Sequence, residues 1–256
     1  MSRVVRFNVT PVKSTGLHHP EEIRLEHRGA VGDRAFFFVD GEGRRLSGPN
    51  KIATLPIRAR YDADREWLEL RLPNGIEVAG SAVANGRPLD VDFYGRSVSS
   101  HVVEGEFADA LSVYAGREIQ LARPDRAGEA LDVRPVTLVS LESVAELARR
   151  GGADGELSAG RFRMTIEVEG VSGPHEEDSW RSRRVRVGGA LLEIGETVPR
   201  CFVTTLDPDT GVRDFPTLHV IKGYRDVTSD GDLPFGVYAD VLEEGTVRVG
   251  DPLELL

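Results

Sequence analysis

The chain has 256 residues, of which 40% are hydrophobic and 29% are charged, and its formal net charge is -10. This composition predicts a globular protein with one large or two small domains, and it excludes a mostly disordered chain. The negative charge argues against nonspecific binding of nucleic acid, because the phosphate backbone repels a uniformly negative surface.

The sequence also predicts a cellular location. The longest uninterrupted apolar run is residues 35–39, far below the ~20 residues that a membrane-spanning helix needs. The N-terminus lacks the apolar stretch of a signal peptide. Cys201 is the single cysteine, so it cannot form an internal disulfide bond. We therefore expect a cytoplasmic protein without a membrane segment.

The first hundred residues have the pattern of short strands separated by turns. Turn formers such as DGEG (40–43) and PNG (73–75) favour hairpins. Apolar residues at helical spacing, followed by Gly116, predict a helix over residues 106–114. The strands expected in this part of the chain are 3–9, 34–40, 65–72 and 76–80.

The second half begins after a charged segment, residues 122–135, that is rich in proline and glycine and predicts a domain boundary or crossing loop. A helix is expected over residues 143–150, with Ser143 and Glu146 at the spacing of a capping box. Together these patterns predict a β-rich α+β protein, barrel-like, with domains at 1–121 and 122–256. The strands expected here are 136–140, 162–170, 184–196, 201–206, 217–224 and 237–256.

Several chemistries are excluded or left open by the motifs. The chain has no glycine-rich dinucleotide fingerprint and no P-loop, and HHPEE (18–22) lacks the spacing of a zinc protease. One cysteine cannot hold a four-cysteine iron–sulfur cluster. A catalytic arrangement of Cys201 with His101 or His219 stays open.

Two loops have the composition of anion sites. In PVKS (11–14), Lys13 and Ser14 follow the opening strand, where the ammonium group could bind a phosphate, although a surface lysine fits as well. Ser140 and Ser143 lie at a strand-to-helix junction, where amides and hydroxyls favour an anion. Helix capping explains the same two serines equally well.

Cys201 itself has two interpretations. A solitary cysteine is most often a small buried hydrophobe. The neighbouring Arg200 would instead favour a thiolate, and Pro199 with the turn DPDTG (207–211) would fix the backbone on both sides. A thiolate on a rigid segment suits a soft metal ion.

An ordered set of motifs covers nearly the whole chain: PVKS (11–14), GDRAFFFVD (32–40), RFRMTIEVEG (161–170), EEDSW (176–180) and PRCFVTTLDPDTG (199–211). This set resembles the MOSC family, named for the C-terminal domain of molybdenum cofactor sulfurases. The similarity is greatest to the branch that includes the mitochondrial amidoxime-reducing components. It implies a MOSC β-barrel domain, an N-terminal β-barrel-like domain and a few helices.

The resemblance implies a site for the molybdenum cofactor, a metal held by a pterin dithiolene. Cys201 would be the protein's ligand to molybdenum. Thr165 and Met164 stand where relatives commonly have asparagine and proline, and Pro199 replaces a small polar residue, which bears on substrate range. The residues expected to contact the cofactor are Lys13, Ser14, Arg34, His101, Ser140, Ser143, Arg163, Thr165 and Arg200.

The activity implied by this resemblance is the reduction of N-hydroxylated or N-oxide-like small molecules by two electrons, with release of water. Because the chain has no flavin, nicotinamide or iron–sulfur motif, the electrons would come from a separate reductase or ferredoxin-like protein. Asp207 is a candidate acid or base near the metal, or simply a turn aspartate. The alternatives are a cofactor or persulfide carrier, and a β-rich binding protein whose cysteine is buried.

Overall fold

The computed structural model describes residues 2–46 and 53–256, and this part of the chain is strand-rich. Seventeen strands run through it in chain order: β1 Arg3–Phe7, β2 Glu22–Glu26, β3 Gly29–Ala30, β4 Phe37–Asp40, β5 Arg58–Asp62, β6 Trp67–Arg71, β7 Glu77–Ser81, β8 Pro88–Phe93, β9 Arg96–Val102, β10 Ile119–Pro124, β11 Val136–Ser140, β12 Ile166–Glu169, β13 Arg184–Val187, β14 Ala190–Pro199, β15 Pro234–Glu243, β16 Gly245–Arg248 and β17 Leu253–Leu255.

Helices are few, as the sequence predicts. The α-helices of the described residues are α1 Phe107–Ala115, α2 Leu141–Gly151 and α3 Thr217–Lys222. Three short 3₁₀ helices lie near the predicted site residues: η1 Ala159–Phe162, η2 Glu176–Trp180 and η3 Phe202–Thr205. The predicted β-rich α+β fold class is therefore confirmed.

The chain divides into two compact units that interleave along the sequence. The barrel unit comprises the residues up to Asn8, His18–Val31 and Arg134–Leu256, and the N-terminal unit comprises Val9–Leu17 and Gly32–Val133. The predicted division into domains 1–121 and 122–256 stays a prediction, since compactness alone does not define independently folding domains.

In the barrel unit, a seven-stranded sheet curls until its edges meet. Its strand order is β1-β12-β11-β15-β14-β13-β17. The Val4 amide donates to the Asp251 carbonyl at 3.0 Å, and the Val4 carbonyl accepts from the Gly250 amide at 2.8 Å. Leu253 donates to the Ser2 carbonyl at 2.9 Å. These bonds join β1 to the end of the chain around β17, so backbone groups at the two edges of the sheet have hydrogen-bond partners.

In the N-terminal unit, two antiparallel sheets have the orders β4-β10-β9-β8 and β5-β6-β7. Strand β4 is buried on both faces, with Phe37 and Val39 in one apolar cluster, while Phe38 belongs to another. The continuous apolar run of the sequence is typical of such a doubly buried strand. The hairpin β8–β9, absent from the expected strands, turns at Tyr94 and Gly95, both with positive φ.

Two predicted strands are wrong in a way that matters for the site. Residues 201–206 form η3 instead of a strand, and residues 217–224 contain α3. Thr217 and Ile221 are buried and lie one helical turn apart, so packing of this face prevails over the strand preference of β-branched residues. The predicted strand 162–170 is likewise shortened to β12, since Phe162 belongs to η1 and Arg163 has a left-handed backbone.

Both helix predictions hold, but one cap was misplaced. Helix α1 ends before Gly116, which is left-handed as predicted. Helix α2 begins two residues earlier than expected, and its N-cap is Ser140, whose hydroxyl accepts from the Ser143 amide. The predicted capping box of Ser143 and Glu146 is therefore wrong, because Ser143 already lies inside the first turn.

Candidate active site around Cys201

Cys201 lies at the junction between β14 and η3, in the barrel unit. Its thiol is free and exposed, which overturns the interpretation of a buried hydrophobe. The residue is the extended N-cap of η3, with φ -113° and ψ 178°. Its carbonyl accepts from the Thr204 amide at 3.2 Å and from the Thr204 hydroxyl at 3.0 Å. An exposed thiol thus projects from an anchored backbone.

Arg200 is directed into the protein. Its Nε and Nη2 donate to the Phe235 carbonyl at 2.8 and 2.6 Å, and its Nη1 donates to the Phe162 carbonyl at 3.1 Å. The guanidinium also lies over the Phe162 ring, 5.5 Å from its centre. These contacts make Arg200 a brace between η1 and β15, and they weaken the prediction that it contacts the cofactor.

Asp207 closes the turn that follows η3. Its Oδ1 accepts from the Asp209 amide at 3.2 Å, the Thr210 amide at 2.7 Å and the Thr210 hydroxyl at 2.8 Å. Burial raises the pKa of Asp207, but these hydrogen bonds outweigh it, so the pKa is lowered overall. This geometry is that of a turn aspartate held as a carboxylate, which fits a proton donor poorly.

Thr165 joins two segments of the barrel. It is buried, its amide donates to the Thr137 hydroxyl at 2.9 Å, and its hydroxyl accepts from the Thr137 amide at 3.3 Å. The Thr165 carbonyl accepts from the Asn8 amide at 3.0 Å. The hydroxyl at this position therefore serves the barrel wall, and its predicted contact with the cofactor stays a prediction that these bonds weaken.

Ser140 and Ser143 bind an internal carboxylate. Both are fully buried, and their hydroxyls donate to Glu177 at 2.8 Å each, while the Ser140 amide donates to Glu177 at 3.3 Å. Glu177 therefore lies where the N-terminus of α2 would hold an anion. The anion-site interpretation of the two serines is weakened, and helix capping by Ser140 is the one observed.

Lys13 and Arg34 belong to a cluster of charges in the N-terminal unit. Lys13 is buried, and its ammonium group donates to Asp132 at 2.6 Å and to the Ala130 carbonyl at 2.8 Å. Arg34 pairs with Asp33. Burial raises the pKa of Asp132, but the charges of Lys13 and Arg34 outweigh it and lower the pKa to about 2. An incoming anion would have to compete with Asp132 for Lys13.

Three of the predicted cofactor contacts have an unusual backbone. Among the described residues, seven that are not glycine have a positive φ, and they include Ser14 at 72°, Arg34 at 48° and Arg163 at 55°. Such conformations cost of order 1 kcal/mol or more each and tend to occur at functional sites. This observation, made independently of the motifs, supports a functional role for the three positions.

The two histidines considered as partners of Cys201 belong to different units of the chain. His101, on β9 of the N-terminal unit, has its Nδ1 2.8 Å from a carboxylate oxygen of Asp125. His219 is exposed on α3 of the barrel unit. Among the described residues of the barrel unit, His219 makes no hydrogen bond to Cys201. The predicted contact of His101 with the cofactor stays a prediction.

Sequence reasoning missed three charged residues around these positions. Asp132 and Glu177 accept from the side chains predicted to bind an anion, and Arg161, almost fully buried, lies two residues before Arg163. Glu177 stands within the quoted motif EEDSW and Arg161 within RFRMT, so the motifs contained a signal. Asp132 lies in the segment 122–135, where nothing in the local pattern distinguishes it.

The chain is similar to curated proteins that are named mitochondrial amidoxime-reducing components. "Mitochondrial amidoxime-reducing component 1" of Danio rerio is 35% identical over 98% of this chain and 83% of its own length. "Mitochondrial amidoxime reducing component 2" of Bos taurus is 26% identical over 88% of the chain and 73% of its own length. The Mus musculus component 1 is 36% identical, over 49% of the chain and 37% of its own length.

A family model agrees with these relatives. The MOSC domain model matches residues 125–254, which contain Cys201, Glu177 and both arginines of RFR. Among the described residues, no helix is long and apolar enough to cross a membrane. From the family match and the similarity to the Danio rerio protein over 98% of this chain, the chain belongs to the MOSC domain family, which is associated with the molybdenum cofactor.

Proposed function

We propose that this protein is a molybdenum-cofactor-dependent reductase of N-hydroxylated or N-oxide-like small molecules, with Cys201 as the protein ligand of the metal. The observation that carries the proposal is the exposed thiol of the only cysteine, on a backbone fixed at the β14–η3 junction. The similarity to proteins named amidoxime-reducing components supports the substrate class.

The residues present fit the cofactor. A thiolate is a soft, anionic donor, and an exposed one can enter a metal's coordination sphere without unfolding of the loop. Arg163 directly follows η1 and has a left-handed backbone, which is common at functional positions. The contacts predicted for Lys13, Ser14 and Arg34 remain part of the proposal.

The cofactor, when bound, would supply the two-electron redox chemistry that protein side chains lack. Cys201 would hold the metal at a fixed place in the barrel unit. Phe202 and Val212, 41% and 64% exposed, offer apolar surface on either side of the turn after the cysteine. The guanidinium of Arg213 lies 5.8 Å from the centre of the Phe202 ring. We propose that these side chains contact the organic part of the substrate.

Electrons would come from a separate protein. The relatives are named components, and this name suggests that they work together with other proteins. A reductase or a ferredoxin-like protein is the proposed donor, since a small redox protein can dock transiently on an exposed site. The cytoplasmic location predicted from the sequence stays part of this proposal, and a reducing compartment would keep Cys201 as a thiol.

Metal analysis of the purified protein tests the proposal. We expect near-stoichiometric molybdenum when the protein is expressed in cells that make the cofactor, and loss of the metal in Cys201→Ala. Metal-free protein with one additional sulfur atom on Cys201, seen by mass spectrometry, would favour the persulfide carrier instead. Metal-free protein with an unmodified thiol would favour the binding protein.

Activity completes the test. With a chemical electron donor, molybdenum-loaded protein should reduce an amidoxime, a hydroxylamine or an N-oxide, and Cys201→Ala should not. If loaded protein reduces none of the three classes, the reductase assignment fails even though the metal is bound. A cofactor carrier would then be the better interpretation.

Asp207→Asn separates the two roles of Asp207. Asparagine keeps the oxygen that accepts the three turn hydrogen bonds, so a turn residue should retain activity within about twofold. Loss of a general acid or base would instead lower kcat by about 100-fold or more. We expect the first result, measured as kcat with a chemical electron donor.

A further inference from the structure

Arg161 begins the motif RFRMTIEVEG but is not among the predicted cofactor contacts, and it lies buried in η1 of the barrel unit. Only 2% of its side chain is exposed. Its two terminal nitrogens donate to the two carboxylate oxygens of Asp214 at 3.2 and 3.0 Å. A buried guanidinium is strongly destabilising unless it is paired, so Asp214 fixes both its place and its orientation.

The same guanidinium reaches the segment that follows the cysteine. Its Nη1 donates to the Thr204 carbonyl at 3.2 Å, and this carbonyl also accepts from the Thr217 hydroxyl at 2.6 Å. Two donors from two different segments therefore hold one carbonyl of η3. The Phe215 ring, 5.5 Å from the guanidinium carbon, packs on the same group.

Thr204 in turn holds Cys201. Its amide and its hydroxyl both donate to the Cys201 carbonyl, as described above. Asp214 adds a further link, since its amide donates to the Thr205 carbonyl at 3.2 Å. The guanidinium, η3 and the segment before α3 thus form one connected hydrogen-bond network that ends on the backbone of the cysteine.

We propose that Arg161 is a positioning residue for Cys201: paired with Asp214, it sets the conformation of η3 through the Thr204 carbonyl and so fixes the direction of the thiol. A metal ligand must be held within about 0.5 Å of its working geometry, and residues behind the ligand provide that restraint. The relevance to catalysis rests on the proposed function, but the effect on the thiol does not.

The single cysteine makes the test specific. In the cofactor-free 256-residue chain, the rate of reaction with an aromatic disulfide reagent reports on Cys201 alone, because this chain has no other thiol. In Arg161→Gln we expect this rate to change by at least about fivefold, the factor that corresponds to the loss of one net hydrogen bond. Amide exchange at Thr204 should accelerate in the same variant.

Arg123 provides a matched control in the N-terminal unit. Its guanidinium also donates to a carboxylate, Glu66 at 2.5 Å, and to a carbonyl, Ala82 at 3.3 Å, and it lies 5.6 Å from the centre of the Phe36 ring. Arg123→Gln should lower stability without moving the thiol rate beyond about twofold, because a loss of global stability alone leaves the local loop unchanged. Arg161→Lys, which keeps the charge, should restore part of the wild-type rate.

If Arg161→Gln reacts at the wild-type rate while its unfolding midpoint falls as in Arg123→Gln, Arg161 supports the fold only and the inference is wrong. Should Arg161→Gln fail to fold, Asp214→Asn removes one of the two carboxylate oxygens that orient the Arg161 guanidinium and keeps the other as an amide oxygen. It should change the thiol rate by about two- to fivefold, and an unchanged rate would overturn the inference. Metal content is a separate readout, so failure of the proposed function leaves these rates interpretable.

Discussion

Two carboxylates, Glu177 in the barrel unit and Asp132 in the N-terminal unit, occupy positions that the sequence assigns to anion binding, but they are stabilised in opposite ways. Glu177 is buried and accepts from the hydroxyls of Ser140 and Ser143 and from the Ser140 amide. Asp132 is about half exposed and pairs with the ammonium group of Lys13. The two serines give Glu177 hydrogen bonds from neutral groups, whereas Lys13 gives Asp132 a positive charge.

The pKa values of the two groups diverge accordingly. Burial raises the pKa of Glu177, and the hydrogen bonds from Ser143 and Ser140 offset this only in part. For Asp132, the charges of Lys13 and Arg34 outweigh burial, and the pKa falls to about 2. Neutral donors therefore satisfy a carboxylate without making its ionised form the stable one, and the two clusters should respond to pH in opposite directions.

Removal of the buried carboxylate should have the largest effect. Glu177→Ala leaves two buried hydroxyls and the start of α2 without their acceptor, so we expect the free energy of unfolding to fall by about 3 kcal/mol. Glu177→Gln, which keeps an oxygen acceptor, should cost clearly less. Urea unfolding at pH 5 measures both, and equal losses for the two variants would contradict this account of the cluster.

The pH dependence of Glu177 has a defined sign. Because its folded pKa is raised above the ordinary 4.5, its stabilising contribution is complete below that value and is lost as pH rises through the folded pKa. The wild type should therefore lose stability relative to Glu177→Gln between pH 4.5 and the higher folded pKa. A constant difference between the two proteins across this range would contradict the raised pKa.

A single hydroxyl donor should matter less than the carboxylate. Ser143→Ala removes the donor to Glu177 and the acceptor of the His175 amide, which lies 2.7 Å from the hydroxyl. We expect a loss of about 1–2 kcal/mol in the free energy of unfolding. Ser179→Ala is the control, since the Ser179 hydroxyl donates to the Glu176 carbonyl at an exposed position and its removal should cost under about 0.5 kcal/mol.

The pair of buried Lys13 with half-exposed Asp132 should contribute least. Asp132→Asn should lower the free energy of unfolding by under about 1 kcal/mol, because the amide oxygen can still accept from the Lys13 ammonium group and solvent screens the half-exposed side chain. Since the pKa of Asp132 is lowered, this contribution is present above its ordinary value of 3.8 and is lost as pH falls through about 2. Urea unfolding between pH 2 and 5 should show the wild type converging on the variant at the acidic end.

The same variant also tests whether Asp132 competes with anions. Without the carboxylate, Lys13 and Arg34 have less negative charge around them, so inorganic phosphate should stabilise Asp132→Asn more than the wild type. Thermal unfolding across a phosphate titration measures this difference. Asp240→Asn is the control, since Asp240 pairs with Arg134 at 3.0 Å on an exposed face and should leave the phosphate effect unchanged.

Local patterns in the sequence predict the fold class and the helices α1 and α2, and the reason lies in short-range chemistry. Helix α1 has its apolar face and its glycine within one segment, so its ends are encoded locally. Helix α3 is different: Thr217 and Ile221 are buried by residues distant in the chain, so its β-branched composition misleads a local rule.

In the candidate site, too, local features could be predicted from the sequence and long-range contacts could not. The position of Cys201 follows from the motif, and its exposure agrees with the functional interpretation. The partners of Ser140, Ser143 and Lys13 could not be predicted, because each is a carboxylate many positions away that the fold brings to the same donors. A motif identifies hydrogen-bond donors, whereas the tertiary structure determines which acceptor lies next to them.

Closure of the barrel has a consequence for the order in which the protein folds. Val4 bonds to Gly250 and Asp251, residues separated from it by almost the whole chain, and contacts of such long sequence separation form slowly. The sheets of the N-terminal unit lie within Val9–Leu17 and Gly32–Val133 and can pair before the rest of the chain is synthesised. We expect these sheets to be the first part of the chain that is protected from amide exchange during synthesis on the ribosome. Strand β1 should be the last strand of the barrel to complete its backbone hydrogen bonds, because those to Gly250 and Asp251 need the end of the chain.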